Sequence, residues 1–204
     1  MNRPFVAIGV ASTGSWKAQM GQALAHLSYV SAMHCDFSVM IAEGSIVSCR
    51  NRLVLGALEA NASHLLFIDS DNTFPADGLA RLLKHDKDIV CASYARRKPP
   101  YTVLGEWINN GTDLVPATKA PAGFLLIKTG VFEKINPPWF TEPIDFSMRT
   151  ENNIIGQTSD DIYFCERAIK AGLQIWIDLA MTSQMGHIGE IVATCYDKSK
   201  CQKS

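Results

Sequence analysis

Apolar and polar positions alternate with two different periods along this chain, and the changes of period mark out its elements. Phe5 to Val10 (FVAIGV) is a short apolar run rich in β-branched residues, closed by the turn-prone Ala11-Ser12-Thr13-Gly14-Ser15, and reads as a first strand. From about Trp16 to Met33 the spacing lengthens: Met20, Leu24, Leu27 and Val30 recur every three to four residues, which puts them on one face of a helix. Phe37 to Ile41 predicts a second strand, and Ser48 to Ala60 a second helix with Leu53, Ala57 and Leu58 inward. His64 to Ile68 (HLLFI) is the clearest buried strand. Pro75 can open the next helix, because a missing N–H costs nothing at the first helical position; Leu79, Leu82 and Leu83 supply its apolar face. Asp88 to Ala92 gives a fourth strand. This alternation predicts an α/β fold, with a mainly parallel sheet, helices on both faces and ligands beyond the carboxyl ends of the strands.

The second half is less regular. Tyr101 to Val115 contains a turn at Asn109-Asn110-Gly111 and reads as a hairpin. Phe124 to Ile127 is another apolar strand, and Pro137-Pro138-Trp139 opens a loop lasting to about Gln157. Asp160 to Ala171 is a helix capped by Thr158 or Ser159 and stopped by Gly172. Gln174 to Ile177 is a last strand, and the polar tail after Tyr196 is expected to fray. With no internal repeat and no linker, residues 1–204 are expected to form one domain, about 197–204 being a flexible tail.

Composition narrows the function classes. Lys plus Arg (19) nearly balance Asp plus Glu (20), which argues against a broad nucleic-acid footprint. No apolar stretch approaches the roughly 18 residues that span a bilayer, and Phe5 to Val10 suits a strand better than a signal peptide. The six cysteines (Cys35, Cys49, Cys91, Cys165, Cys195 and Cys201) are scattered without a C-x-x-C pair. Cys91 and Cys165 fall in expected strand or helix, where Cys acts as a small hydrophobe. A reducing, cytoplasmic setting is the simplest reading, in which Asn61-Ala-Ser63 and Asn110-Gly-Thr112 would not serve as glycosylation acceptors.

The candidate chemistry begins at LLFIDSDNTF, where a buried strand delivers Asp69 and Asp71 to its carboxyl end. Residues two apart in extended chain point the same way. Two close carboxylates repel unless a cation compensates, and Mg²⁺ or Mn²⁺ shared with substrate phosphates is the common solution. The competing reading is a solvated turn with capping aspartates. Met185-Gly186-His187-Ile188-Gly189 sets a histidine between glycines after the final strand; a neutral imidazole suits Mn²⁺, while a structural loop histidine is the plainer alternative. Asp160-Asp161 opens a helix, where acidic residues are favoured by the dipole whatever the function. The functional reading takes Asp161 as general base for an acceptor hydroxyl, with Asp160 a helix-terminal carboxylate that merely meets the dipole. Arg50 is either a phosphate or nucleotide ligand or a surface residue. Arg96-Arg97-Lys98 suits a solvated loop better than a phosphate clamp, and Trp139 is either a flat face for an acceptor sugar or packing.

Taken in order, the Ser-Thr loop after the first strand, SCRNRLVLGALEANASHLLFIDSDNTFP, PAGFLLIKTGVFEKI, SDDIYFCERAIKAGLQIWID and GHIG resemble the GT-A glycosyltransferases. The likeness extends over nearly the whole chain and leans to the small family-two-like enzymes of bacteria, phages and large viruses. It implies a metal-dependent transferase taking a nucleotide-sugar, UDP-linked by preference, to a glycan or other hydroxyl acceptor. Ser12 and Thr13 would border the base, with Arg50 near the nucleotide or its phosphates. Asp69-Ser70-Asp71 would meet the donor, Asp69 through ribose or a metal-bound water and Asp71 on the metal directly. His187 would complete the Mn²⁺ or Mg²⁺ site. Gly123 would lie close to a donor or acceptor sugar, and Asp161 would be the base of an inverting transfer. The family's acidic pair is often Glu-Asp, where this chain has Asp160-Asp161.

Two rival functions share parts of this pattern. A sugar-1-phosphate nucleotidyltransferase uses a similar sheet but resembles a pattern with a Gly-rich, Arg-containing loop after the first strand, which Ala11 to Lys17 lacks. A non-catalytic nucleotide-sugar-binding protein would have no need of Asp69, Asp71, Asp161 and His187 together.

Overall fold

In a computed structural model the described residues are 3–149, 155–189 and 192–194. The first half follows the expected order: β1 (Phe5–Ser12), α1 (Ala18–Ser31), β2 (Asp36–Glu43), α2 (Ile46–Glu59) and β3 (His64–Asp69). A two-residue strand, β4 (Asn72–Thr73), comes next, then α3 (Gly78–Lys84) and β5 (Ile89–Cys91). Pro75 does not open α3. It sits in the preceding turn, where its carbonyl accepts from the Gly78 N–H at 3.0 Å, and Asp77 occupies the N-cap.

The expected hairpin exists but lies further along, as β6 (Glu106–Trp107) and β7 (Leu114–Lys119), paired antiparallel. Its turn is the one anticipated: Gly111 has φ +77° and donates to Asn109 Oδ1 at 3.0 Å. β8 (Phe124–Lys128) and the short α4 (Val131–Lys134) follow. The segment expected to be loop up to Gln157 instead contains an antiparallel pair, β9 (Ile144–Arg149) and β10 (Ile155–Gln157). α5 (Asp160–Lys170) ends before Gly172, whose φ of +78° is the left-handed stop a glycine permits. β11 (Ile175–Asp178), α6 (Leu179–Thr182), β12 (Gly186–Ile188) and β13 (Val192–Thr194) complete the chain. The polar tail lies outside the described residues.

The main sheet has eight strands in the order β2-β1-β3-β8-β5-β11-β7-β6. Six strands run one way, while β8 and β7 run against them. An apolar run such as Phe124 to Ile127 signals burial on both faces but carries no sign of direction, which is why the reversal of β8 is not visible in the sequence. β3 divides its side chains cleanly. Leu65 and Phe67 enter one core with α2 and α5, through Leu53, Ala57, Phe164 and Ala168. Leu66 and Ile68 enter the other with α1 and α3, through Met20, Leu27, Leu79 and Leu82. Each such side chain, fully buried, contributes about 1.5–3 kcal/mol, so the strand that carries Asp69 is anchored from both sides.

Among the described residues, Cys35, Cys49, Cys91 and Cys165 are free and buried. Burial pushes the Cys165 thiol up to about 12, as suits a packing residue. Trp139 also belongs to the core. It is 6% exposed, donates from Nε1 to the Phe132 carbonyl at 3.0 Å and packs edge-on against that ring. No helix among the described residues is long and apolar enough to cross a membrane.

Candidate active site

β1 and β3 lie side by side and deliver their last residues to the same edge, with Ala11 level with Asp69. Ser12 is buried there, and its hydroxyl accepts from the Gly14 N–H at 3.1 Å. That hydroxyl shapes its own loop and leaves Thr13 exposed beside it. After Asp69 the chain leaves the strand through a turn at Ser70 and Asp71, so the extended geometry that would align the two carboxylates is broken. Asp69 and Asp71 consequently have different partners.

Asp69 joins a buried ionic network. Arg50, 4% exposed on α2, reaches Asp69 Oδ1 at 3.2 Å and Asp160 Oδ2 at 2.6 Å. Burial alone would lower the Arg50 pKa, but the two carboxylates outweigh it and hold the guanidinium charged. The Tyr94 hydroxyl donates to Asp69 Oδ2 at 3.3 Å. Burial, with Asp69 beside it, pushes the Tyr94 phenol well above its ordinary value, so it remains a donor. Of the two readings of Arg50 the surface one is excluded, and Asp160 does more than meet a helix dipole, since it is ion-paired with Arg50. Asp160 is 4% exposed, and burial raises its pKa against the pull of Arg50.

Gly123 sits under the same network. A Cβ there would lie 2.3 Å from Asn72 Nδ2 and 2.4 Å from the Tyr94 hydroxyl. The close approach at Gly123 is made by two protein side chains. The Gly123 carbonyl accepts from Asn72 Nδ2 at 3.2 Å and from the Asp69 N–H at 3.1 Å, tying β8 to the start of the Asp69-Asp71 turn.

Asp71 and His187 are brought together by strand pairing. His187 lies on β12, which pairs antiparallel with β4 so that His187 is level with Asn72. The Ile188 N–H donates to the Asp71 carbonyl at 2.7 Å. His187 Nδ1 lies 2.9 Å from the Ala95 carbonyl, which can only accept, so in the neutral ring Nδ1 carries the proton. Nε2 then presents its lone pair 3.6 Å from Asp71 Oδ1. A backbone carbonyl fixing the tautomer in this way is the usual support behind a metal-ligating histidine.

Asp71 Oδ2 accepts from Arg97 Nη1 at 2.8 Å. Burial works to raise the Asp71 pKa, but the charge of Arg97 and, in the doubly protonated state of His187, that ring's bond and charge outweigh it and hold the carboxyl below its ordinary value. Among the described residues no three His, Cys, Asp or Glu side chains converge as a ready-made metal cluster. The donors that meet are one carboxylate oxygen and one imidazole nitrogen. Two ligands about 2.1 Å from a shared octahedral ion sit roughly 3 Å apart, so this pair fits a divalent ion after a small closure. The oxygens of Asp69 are turned to Arg50 and Tyr94 instead.

Asp161 differs from its neighbour Asp160. Its Oδ1 accepts from the Ser159 hydroxyl and, at 2.8 Å, from the Ile162 N–H. Oδ2 has no bond among the described residues. The residue lines a cavity of about 280 Å³ with Arg96, Thr102, Glu106, Lys119 and Ser159. A second cavity, about 920 Å³, is lined by Arg96, Arg97, Lys98, Tyr101 and Gly189. Arg96 borders both, so the basic loop beside Asp71 and the chamber of Asp161 adjoin.

Sequence reasoning passed over Tyr94 and Asn72, and read Asp160 and Arg97 without their partners Arg50 and Asp71. Tyr94 alone left a signal, as a polar aromatic two residues past the apolar strand IVCA.

No protein-family model matches the sequence, and no curated protein matches it. Solved structures do share the architecture. Protein A197 from STIV superposes with a TM-score of 0.62 at 15% identity, over 95% of this chain and 91% of that one. GalNAc-T7, solved with UDP, GalNAc and Mn²⁺, gives a TM-score of 0.55 at 10% identity, over 92% of this chain and 44% of that one. Six strands aligned against two, with helices on both faces, agree with these likenesses: the chain has the GT-A fold.

Proposed function

We propose that this chain is a metal-dependent glycosyltransferase that moves a sugar from a nucleotide-sugar, UDP-linked by preference, to an acceptor hydroxyl with inversion. The observation that carries the proposal is the approach of His187 Nε2 to Asp71 Oδ1 at 3.6 Å, with the histidine tautomer fixed by Ala95. An imidazole in the set favours Mn²⁺ over Mg²⁺. The UDP and Mn²⁺ of GalNAc-T7, which shares the fold, lend support.

A divalent ion held by Asp71 and His187 would neutralise the charge that collects on the departing nucleoside diphosphate. Asp69, its oxygens fixed by Arg50 and Tyr94 but 21% exposed, borders the donor without being a ligand itself. Thr13 lies exposed on the edge where the base would rest, over a loop held by Ser12. Asp161 is the base: Oδ1 is anchored by two donors, which leaves Oδ2 for the proton of the acceptor hydroxyl. The acceptor oxygen bonds to the anomeric carbon as the bond to the diphosphate oxygen breaks, and the proton passes to Asp161. Asp160 is not placed for this part, because it is 4% exposed and ion-paired with the buried Arg50.

The test is a panel of nucleotide-sugars offered with Mn²⁺ and scored for released nucleoside diphosphate. One donor should stand clear of the rest, with release lost in Asp71→Asn. Equal release by wild type and Asp71→Asn for every donor would refute the assignment.

A further inference from the structure

The segment between β5 and β6 touches the candidate metal pair twice. Ala95 supplies the carbonyl that orients His187, and two residues later Arg97 puts its guanidinium on Asp71 Oδ2. Arg97 therefore occupies one oxygen of the carboxylate whose other oxygen faces His187. Its side chain is 55% exposed, so the contact can open without disturbing the core. Arg96 and Lys98 flank it, all three residues line the 920 Å³ cavity, and Gly189, which follows directly from β12, lines it too. A space of this size is within the usual range for small-molecule sites, and its lining is cationic.

We propose that Arg97 is an exchangeable cation: it neutralises Asp71 while the site is empty, and binds the diphosphate of the donor once a divalent ion has taken the carboxylate. The proposal rests on the metal-dependent reading above. Both states are balanced electrostatically. In the first, a guanidinium compensates a carboxylate whose ordinary alternative is repulsion from the Asp69 side of the turn. In the second, the same guanidinium meets phosphate oxygens, for which its forked donors are well suited. A lysine would supply the charge without the fork.

Arg97→Gln separates the two states by opposite signs. Mn²⁺ binding without nucleotide, read from the loss of free Mn²⁺ signal in EPR, should become about two- to fivefold tighter, because a competing surface ion pair is gone. UDP binding at saturating Mn²⁺, read by calorimetry, should become about tenfold weaker or more, because a charge-assisted bond to phosphate is lost. Arg97→Lys should fall between wild type and Arg97→Gln in both measurements. Weakening of both affinities, no change in both, or tighter Mn²⁺ binding with unaltered UDP binding would each overturn the proposal. Asp71→Asn is the separate arm for the parent reading. If wild-type UDP binding responds to Mn²⁺ and Asp71→Asn abolishes that response, the metal site stands whatever Arg97 does.

Discussion

Asp69 and Asp71 are two residues apart, yet their surroundings are opposite. Asp69 faces a guanidinium that is 4% exposed, a buried phenol and, through Arg50, a second buried carboxylate. Asp71 faces an arginine that is 55% exposed and the one ring nitrogen of His187 that its backbone contact leaves open. The first environment fixes a geometry, because the buried Arg50 holds both carboxylates and its loss would leave them uncompensated. The second can exchange partners, because its cation is solvated and its histidine is already oriented. A D-x-D pair therefore divides its labour here, one carboxylate built into the fold and one left available to a ligand.

The contrast is easiest to break at Arg50. Arg50→Ala leaves Asp69 and Asp160 without their shared cation, and breaking a buried pair by removing one partner costs about 3–5 kcal/mol. Denaturant unfolding should show a midpoint lowered accordingly. A change under about 1 kcal/mol would mean that the network is solvated. Asp161→Asn should come next in size. Loss of a positioned base lowers transfer by about a hundredfold or more, while Mn²⁺-dependent UDP binding should persist. A product of unchanged anomeric configuration, read by NMR, would remove Asp161 from that role. Asp71→Asn should have the smallest effect on stability, within about 0.5 kcal/mol, because its ion pair is exposed. Its effect should fall on ligand binding alone.

Much of the fold was legible because burial leaves a period behind. Met20, Leu24 and Leu27 marked α1, and HLLFI marked β3, since side chains packed on two faces must be apolar in sequence. The strand direction of β8 was not legible, because Leu125 and Leu126 would read the same in either sense. The β9–β10 pair also escaped notice, hidden behind Pro137-Pro138, which reads as a chain break. At the site, Asp69, Asp71, His187, Arg50 and Asp161 could be picked out by residue type. What type could not convey was pairing across long separations. Arg50 and Asp160 are 110 positions apart, and neither motif hints at the other. His187 looked like a loop histidine because Gly186 and Gly189 suggest loop. It is instead a strand residue placed by backbone pairing with Asn72, and backbone pairing has no residue code. Arg97 read as solvated, and it is exposed, but exposure did not reveal that it reaches Asp71.

Calorimetric titration of UDP into the wild-type chain, once with Mn²⁺ and once with EDTA, tests the Asp71–His187 centre most directly. If the pair holds the ion that bridges to the diphosphate, affinity with Mn²⁺ should exceed that in EDTA by about tenfold or more, a difference of about 1.4 kcal/mol or more. His187→Ala should lose most of that gain. Equal affinity in Mn²⁺ and EDTA would contradict a metal-dependent site and return His187 to a purely structural part.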